Sequence, residues 1–295
     1  MDTLKQLSND MAALVETVGA GVVRVEARRR LPATGIVMSA DGLIATSNHV
    51  VRMDEGIRIG LPDGTIVEAQ LVGRDPSTDL ALIHAETDGL TVPNWVASTE
   101  AKVGELVLAM GRAGRNVEAS LGVVSEIGGS FQGRAGGQLD RYLKPDVVMY
   151  PGFSGGPLAG ADGGIYGLNT STRGRGPNLT IPTETVQRVA ETLKEHGHIK
   201  RGYLGITAQT VRLPEAIASE AEQETGLLIA SVEAGSPADG QLLLGDTVLM
   251  LDDQPARSME ELLSLLMGNV VGEEVTVTVV RGGQMQTVGV TVGER

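Results

Sequence analysis

The sequence predicts a mainly β chain: two antiparallel β-barrels or sandwiches in succession, then a smaller β-rich domain with one well-marked helix. Three observations carry this. Short apolar runs bounded by Gly, Asp and Pro recur through the first two-thirds of the chain, with no helix pattern between them. Glycine is abundant, 40 of 295 residues, and follows no fixed period, which suits many tight turns. The chain is 41% hydrophobic but only 2% aromatic, so its core must be built from Val, Leu, Ile and Ala. An α/β fold would place a helix after most strands.

The elements follow in order. Leu4, Leu7, Met11, Leu14, Val15 and Val18 recur at helical spacing and predict an N-terminal helix, not the solid apolar block of a signal peptide. Strands follow in "GVVRVEA", "TGIVMS", "LIATSNHVV", "GIRIGL", "TIVEAQLVGRD" and "LALIHAE", with turns at Asp41-Gly42 and Asp63-Gly64. After a break near Val92 to Thr99, a second group comprises "GELVLAMG", "EASLGVVSEIGG", "DVVMYPG" and "GGIYGLNTS". The two groups place one barrel at about 20–95 and the other at about 100–185. Pro182 and Thr183 open a helix whose inner face is Val186, Val189, Ala190 and Leu193, and Gly197 stops it. The charged, glycine-bearing stretch "KEHGHIKRG" marks a boundary, giving domains 1–197 and 198–295. In the second domain Ser258 and Glu261 form a capping box on a helix with Leu262, Leu263, Leu266 and Met267 as its apolar face.

Bulk properties exclude several functions. A net charge of −13 repels phosphate backbones and anionic lipid, so nucleic-acid binding is not expected. With no cysteines there is no disulfide, zinc–thiolate site or Cys nucleophile. No apolar run is long enough to span a bilayer. As written, the chain reads as cytoplasmic. His196 and His198 lack acidic partners at coordinating spacing, so no metal or other cofactor is expected. "LPATG" (31–35) matches a sortase site, but it enters a strand far from the C-terminus and is taken as chance.

The chemistry lies in "PGFSGGP", residues 151–157. A nucleophilic serine needs a base and a group to orient that base, and the chain has only four histidines: His49, His84, His196 and His198. A lipase-type elbow requires the order Ser, acid, His and a helix after the serine. Only His196 and His198 follow Ser154, and Gly155, Gly156 and Pro157 are poor helix formers. The order His49, Asp79, Ser154 instead fits the chymotrypsin arrangement. His49 closes a strand of the first group, Asp79 lies in "DPSTDLALI", and Ser154 lies in the second group.

"TSNHVV", "DPSTDLALI" and "PGFSGGPL", in that order, resemble the HtrA (Deg) family of trypsin-fold serine proteases. "RGYLGI", "GSPA" and "LLLGDTVLMLDDQP" look like the PDZ domain that follows the protease in that family. The resemblance covers nearly the whole chain. It implies a two-barrel trypsin-like (chymotrypsin-fold) protease domain followed by a PDZ domain, with Ser154 as nucleophile, His49 as base and Asp79 orienting His49. It also implies ATP-independent cleavage of unfolded or damaged proteins, a homotrimer, and the periplasmic or other extracytoplasmic location usual in the family. Aromatic residues near the N-terminus partly hold such trimers, and here none precedes Trp95.

The loop chemistry agrees: Gly152 and Ser154 would supply the backbone N–H groups of an oxyanion hole. Digestive members of the fold carry Asp at the position of Phe153, where it pairs with a freshly cut N-terminus. Phe153 cannot form that pair, and it also departs from the Asn usual in the HtrA family. It is expected to tune the loop between resting and active geometry. The S1 pocket base of this fold lies six residues before the nucleophile, at Val148, which predicts a small or aliphatic P1 residue, because Lys or Arg would be buried unpaired. Tyr203, Leu204, Gly205 and Ile206 ("YLGI") resemble the loop that holds a peptide C-terminus, with the ligand adding a strand beside "ITAQTV". The glycine-rich stretches 128–145 and 171–180 are candidates for order–disorder switching. A rival expectation is a proteolytically silent PDZ adaptor or chaperone on a protease scaffold.

Overall fold

The computed structural model describes residues 2–129, 131–132, 138–139, 141–171, 178–198, 202–266 and 270–294. The chain divides into two compact units, Met1–Ile199 and Lys200–Arg295.

In the first unit, helix α1 (Asp2–Gly19) buries Leu14 and Val18 and leaves Leu4 and Leu7 exposed. Only the last turns of its apolar stripe therefore meet the core. Six strands follow: β1 (Val22–Glu26), β2 (Ala33–Val37), β3 (Leu43–Ser47), β4 (Ile57–Gly60), β5 (Ile66–Asp75) and β6 (Leu80–Ala85). They close a barrel in the order β1-β2-β3-β6-β5-β4. Alternation along β4 and near-continuous burial along β2 and β6 match the small aliphatic residues there. "LPATG" enters this barrel, with Ala33 to Gly35 buried in β2.

Trp95 stands in the connection to the second barrel. Its indole Nε1–H donates to the Val37 carbonyl at 3.4 Å and its backbone bridges Ile165. The second barrel contains β7 (Leu106–Gly111) and β8 (Glu118–Gly128). The short pair β9 (Phe131–Gln132) and β10 (Gln138–Leu139) stands apart from it. The barrel is completed by β11 (Tyr142–Asp146), β12 (Pro157–Gly160), β13 (Ile165–Thr170) and β14 (Leu179–Pro182), in the order β11-β14-β13-β12-β7-β8. Two strand readings need correction. "DVVMYPG" is not a strand: β11 ends at Asp146, after a register shift at Lys144/Pro145, where proline removes a ladder donor. β12 and β14 are too short, and too rich in Gly or Pro, to stand out by periodicity.

Helix α2 (Thr183–His196) follows as expected. It buries Val186, Val189, Ala190 and Leu193, and Gly197, in the left-handed region at φ 73°, donates its N–H to the Leu193 carbonyl at 2.8 Å. Of the proposed switch segments, residues 130, 133–137, 140 and 172–177 lie outside the described residues.

The second unit pairs β15 (Gly202–Tyr203) with its last strand, β22 (Gly293–Glu294). Its main sheet runs β16 (Ile206–Arg212), β17 (Thr225–Val232), β18 (Thr247–Leu251), β20 (Glu274–Arg281), β21 (Gln284–Thr291), with β19 (Gln254–Pro255) against β18. Helices α3 (Glu215–Glu220) and α4 (Met259–Leu265) complete it. Ser258 Oγ caps α4 by accepting the Glu261 N–H at 3.1 Å, while the Glu261 carboxylate accepts the Arg257 N–H at 2.8 Å. Leu262 and Leu266 are buried, but Leu263 is exposed: α4 shows the core a narrow stripe, and Leu263 lies off it. Met267 lies outside the described residues. Among the described residues, no helix is long and apolar enough to cross a membrane.

Candidate active site

His49 does not close a strand. β3 ends at Ser47, and Asn48–Val50 form one turn of 3₁₀ helix that turns the His49 ring toward β6. His49 Nδ1 and Asp79 Oδ2 are 2.7 Å apart, and Asp79 Oδ1 accepts the His49 backbone N–H at 2.8 Å. The carboxylate thus grips histidine at ring and backbone together and sets the imidazole plane.

Asp79 is held in turn. Its φ is +60°, a conformation that costs a residue with a Cβ about 1–3 kcal/mol. The turn before it is stapled by buried Asp75. One oxygen of that carboxylate accepts the Ser77 N–H and hydroxyl at 3.0 and 2.5 Å, and the other accepts those of Thr78 at 3.3 and 2.7 Å. "DPST" is therefore a scaffold for the second aspartate of the motif.

The second barrel reaches this pair through Thr170, whose hydroxyl donates to Asp79 Oδ2 at 2.5 Å. The next residue, Ser171, meets Ser154: the two Oγ atoms are 2.8 Å apart, and the Ser171 N–H points to Ser154 Oγ at 3.4 Å. Neighbouring residues at the end of β13 therefore touch the aspartate of one barrel and the serine of the other. Among the described residues, Ser154 makes no hydrogen bond to His49. Sequence reading missed Thr170 and Ser171; their only trace is the polar end of "GLNTS", which reads like any strand terminus.

The serine loop is anchored at several points. Gly155 N–H donates to the Asn169 carbonyl at 2.8 Å and Asn169 N–H to the Gly156 carbonyl at 2.7 Å. Gly152 has φ +98°, and a Cβ there would collide with Ala113. Thr34 Oγ1 donates to the Gly152 carbonyl at 2.7 Å, which turns that carbonyl toward the first barrel. Among the described residues, neither the Gly152 nor the Ser154 N–H donates to a protein acceptor. Phe153 is 1% exposed and sits in the second-barrel core among Val107, Leu143, Leu158 and Tyr166, with an edge-to-face contact to Tyr150 at 5.3 Å. It is a buried apolar anchor for the loop. Val148, the expected pocket base, is 56% exposed, and its N–H donates to Ser120 Oγ at 3.0 Å.

In the second unit, Leu204 and Gly205 are buried and their carbonyls are taken, by the Ala238 and Glu233 N–H groups at 2.9 and 2.8 Å. Their own N–H groups find no protein acceptor among the described residues. Gly205 has φ +84°, and a Cβ there would strike Ser236. The Tyr203 hydroxyl is bonded to Glu233. From Ile206 the chain continues into β16, the terminal strand of the sheet, partnered by β17.

Residues 33–168 match the family described as a trypsin-like peptidase domain, and residues 202–292 match the PDZ domain family. The solved "HtrA-type protease AlgW with decapeptide" superposes with a TM-score of 0.77 at 27% identity, covering 96% of this chain and 98% of that one. This chain belongs to the HtrA family. A second solved neighbour, a serine endoprotease from Yersinia pestis, has a TM-score of 0.77 at 28% identity over 96% of this chain and 97% of its own. Two curated relatives, each called "Probable periplasmic serine endoprotease DegP-like", come from Ectopseudomonas mendocina (strain ymp) and Pseudomonas fulva (strain 12-X). They are 36% and 35% identical over 88% of this chain. This HtrA-family chain spans 56% and 55% of their lengths.

Proposed function

We propose that the chain is an ATP-independent serine endopeptidase acting on unfolded or damaged polypeptides, with the first unit as protease domain and the second as a regulatory PDZ domain. One observation carries the reading: consecutive residues Thr170 and Ser171 bind Asp79 and Ser154, joining the His49–Asp79 pair of one barrel to the serine of the other. In this reading Asp79 orients His49, His49 removes the proton from Ser154 as it attacks the peptide carbonyl, and the imidazolium then protonates the leaving amine. The N–H groups of Gly152 and Ser154, without a protein acceptor among the described residues, receive the oxyanion. Before attack, the Ser154 hydroxyl turns from Ser171 to His49.

Val148 carries no charge to meet Lys or Arg, which supports a small or aliphatic P1 residue; cleavage of a peptide library mainly after basic residues would refute it. The N–H groups of Leu204 and Gly205, without a protein acceptor among the described residues and opening onto edge strand β16, suit a peptide C-terminus that adds a strand. The relatives named periplasmic favour an extracytoplasmic location over the cytoplasmic expectation, and a trimer remains the assembly to test by light scattering.

The bond from Ser154 to Ser171 also favours a second reading, a silent adaptor whose serine stays occupied. Casein digestion and fluorophosphonate labelling of wild type and Ser154→Ala separate the two. Ser154-dependent digestion is expected. Equal behaviour of the two proteins would sink the protease reading.

A further inference from the structure

Arg112 is 6% exposed, and among the described residues no carboxylate pairs with it. Its guanidinium instead caps three carbonyl oxygens from three parts of the fold: Nε donates to Val22 at 2.7 Å, Nη1 to Arg115 at 2.9 Å and Nη2 to Gly19, the last residue of α1, at 2.9 Å. A buried cation without a counter-ion is costly unless its donors are met. Here one helix end, which carries partial negative charge, and two loop or strand carbonyls meet them. Burial pulls the guanidinium below its usual pKa, yet Arg stays charged at any ordinary pH.

The backbone of the same residue continues the connection. Arg112 N–H donates to Thr34 Oγ1 at 2.8 Å, and that hydroxyl donates to the Gly152 carbonyl at 2.7 Å. Thr34 is fully buried, and its own backbone is tied to the site: its N–H donates to the Ser154 carbonyl at 3.2 Å and its carbonyl accepts Thr46 Oγ1 at 2.6 Å. A hydroxyl has one proton. Because Arg112 N–H occupies Thr34 Oγ1 as a donor, that proton is committed to Gly152. Ala113, next in sequence, fills the space that a Cβ on Gly152 would need.

We propose that Arg112 and Thr34 are positioning residues for the oxyanion loop. The guanidinium locks residues 112–115 to α1 and β1, and Thr34 passes that fixed position to the peptide group of Gly152, so that the Gly152 and Ser154 N–H groups stay aimed at one point. Neither residue touches substrate. The inference rests on the reading of those two N–H groups as oxyanion donors.

The test uses the full chain and the variants Thr34→Val, Thr34→Ser, Arg112→Lys and the double Thr34→Val/Arg112→Lys. Thr34→Val is isosteric and removes only the hydroxyl, so it keeps the test open if Arg112→Lys folds poorly. Three readouts are compared: casein turnover split into kcat and KM, the rate of fluorophosphonate acylation at Ser154, and amide hydrogen exchange over residues 150–156. Loss of a single oxyanion donor elsewhere costs about 10²–10³ in kcat, and a misaimed donor costs less. Thr34→Val is expected to lower kcat and acylation roughly 10- to 100-fold with KM nearly unchanged, and to speed exchange in the loop. Thr34→Ser should restore both. The double variant should be little worse than Thr34→Val alone, because both break one chain of contacts. Wild-type kcat and loop exchange in Thr34→Val would overturn the proposal, as would single effects that simply multiply in the double variant. If wild-type Ser154 fails to acylate, the protease reading fails instead, and loop exchange decides this one: faster exchange in both single variants supports the positioning role, and unchanged exchange ends it.

Discussion

Gly111 and Phe153 share one space. A Cβ built on Gly111 falls 2.5 Å from the edge of the Phe153 ring, so the glycine of β7 is the socket into which the serine loop inserts its aromatic anchor. Where digestive relatives of the fold use an ion pair, this chain holds the loop by apolar burial.

Gly111→Ala should therefore act on the serine loop although it lies outside it. Overpacking of this kind costs about 1–3 kcal/mol, read by urea denaturation, and casein turnover should fall with it. Phe153→Leu in the same chain should recover part of the loss, giving a double-variant penalty below the sum of the two singles. Strict additivity would show that the two residues do not share the space. Phe153→Asn should be worse than Phe153→Leu, since it buries an amide among Val107, Leu143 and Leu158 without a partner.

Thr170→Val removes the second-barrel donor to Asp79 while keeping the side-chain shape in β13. A hydrogen bond to a charged group is worth about 1.5–3 kcal/mol, so kcat/KM on casein should fall roughly 10- to 100-fold, measured at a temperature where the variant is still folded. An unchanged kcat/KM would mean that His49 and the Asp75-stapled turn hold the carboxylate without help.

Gly205→Val places a branched side chain at φ +84° and against Ser236. Binding of a fluorescent peptide with a free C-terminus should weaken at least about tenfold, measured by polarisation, while fluorophosphonate labelling of Ser154 persists. Equal affinity in the variant would remove the "YLGI" loop from the binding site.

Asp246 and Arg281 form a two-pronged pair in the second unit: Nε donates to Oδ1 at 2.9 Å and Nη2 to Oδ2 at 2.7 Å, with the Asp246 side chain 2% exposed. The Arg281 hydrogen bonds hold the Asp246 carboxyl below its ordinary pKa, against the opposing pull of burial. A depressed folded-state pKa contributes stability that is present above the unfolded Asp value and lost as pH falls through the folded one. The gap in melting temperature between wild type and Asp246→Asn should thus be constant at neutral pH and shrink below about pH 4. A gap that widens on acidification would contradict the assignment.

The order of the proposed trio His49, Asp79 and Ser154 can be read in one dimension because chemistry-bearing residues are scarce here: four histidines leave few combinations. The barrels were legible as groups of strands, but not strand by strand. β12 and β14 are four residues each, and proline in β11 shifts the register, so period-two alternation has too little length to register. His49 reads into a strand because Val50 and Val51 follow it, so "LIATSNHVV" looks like one run although a 3₁₀ turn interrupts it at Asn48–Val50.

Composition, residue order and local motifs were enough for the fold class and the family resemblance, and they nominate the proposed trio His49, Asp79 and Ser154, because each depends on residue type and on spacing along the chain. Closure of the barrels decided the rest. Thr170 and Ser171 matter because β13 ends between the two barrels, Arg112 because the distant Gly19 and Val22 carbonyls converge on it, and Phe153 because Gly111 stands opposite. Each is a meeting of segments about 40 to 120 residues apart or at a sheet end, and such meetings leave no periodicity in the chain because folding alone brings them together.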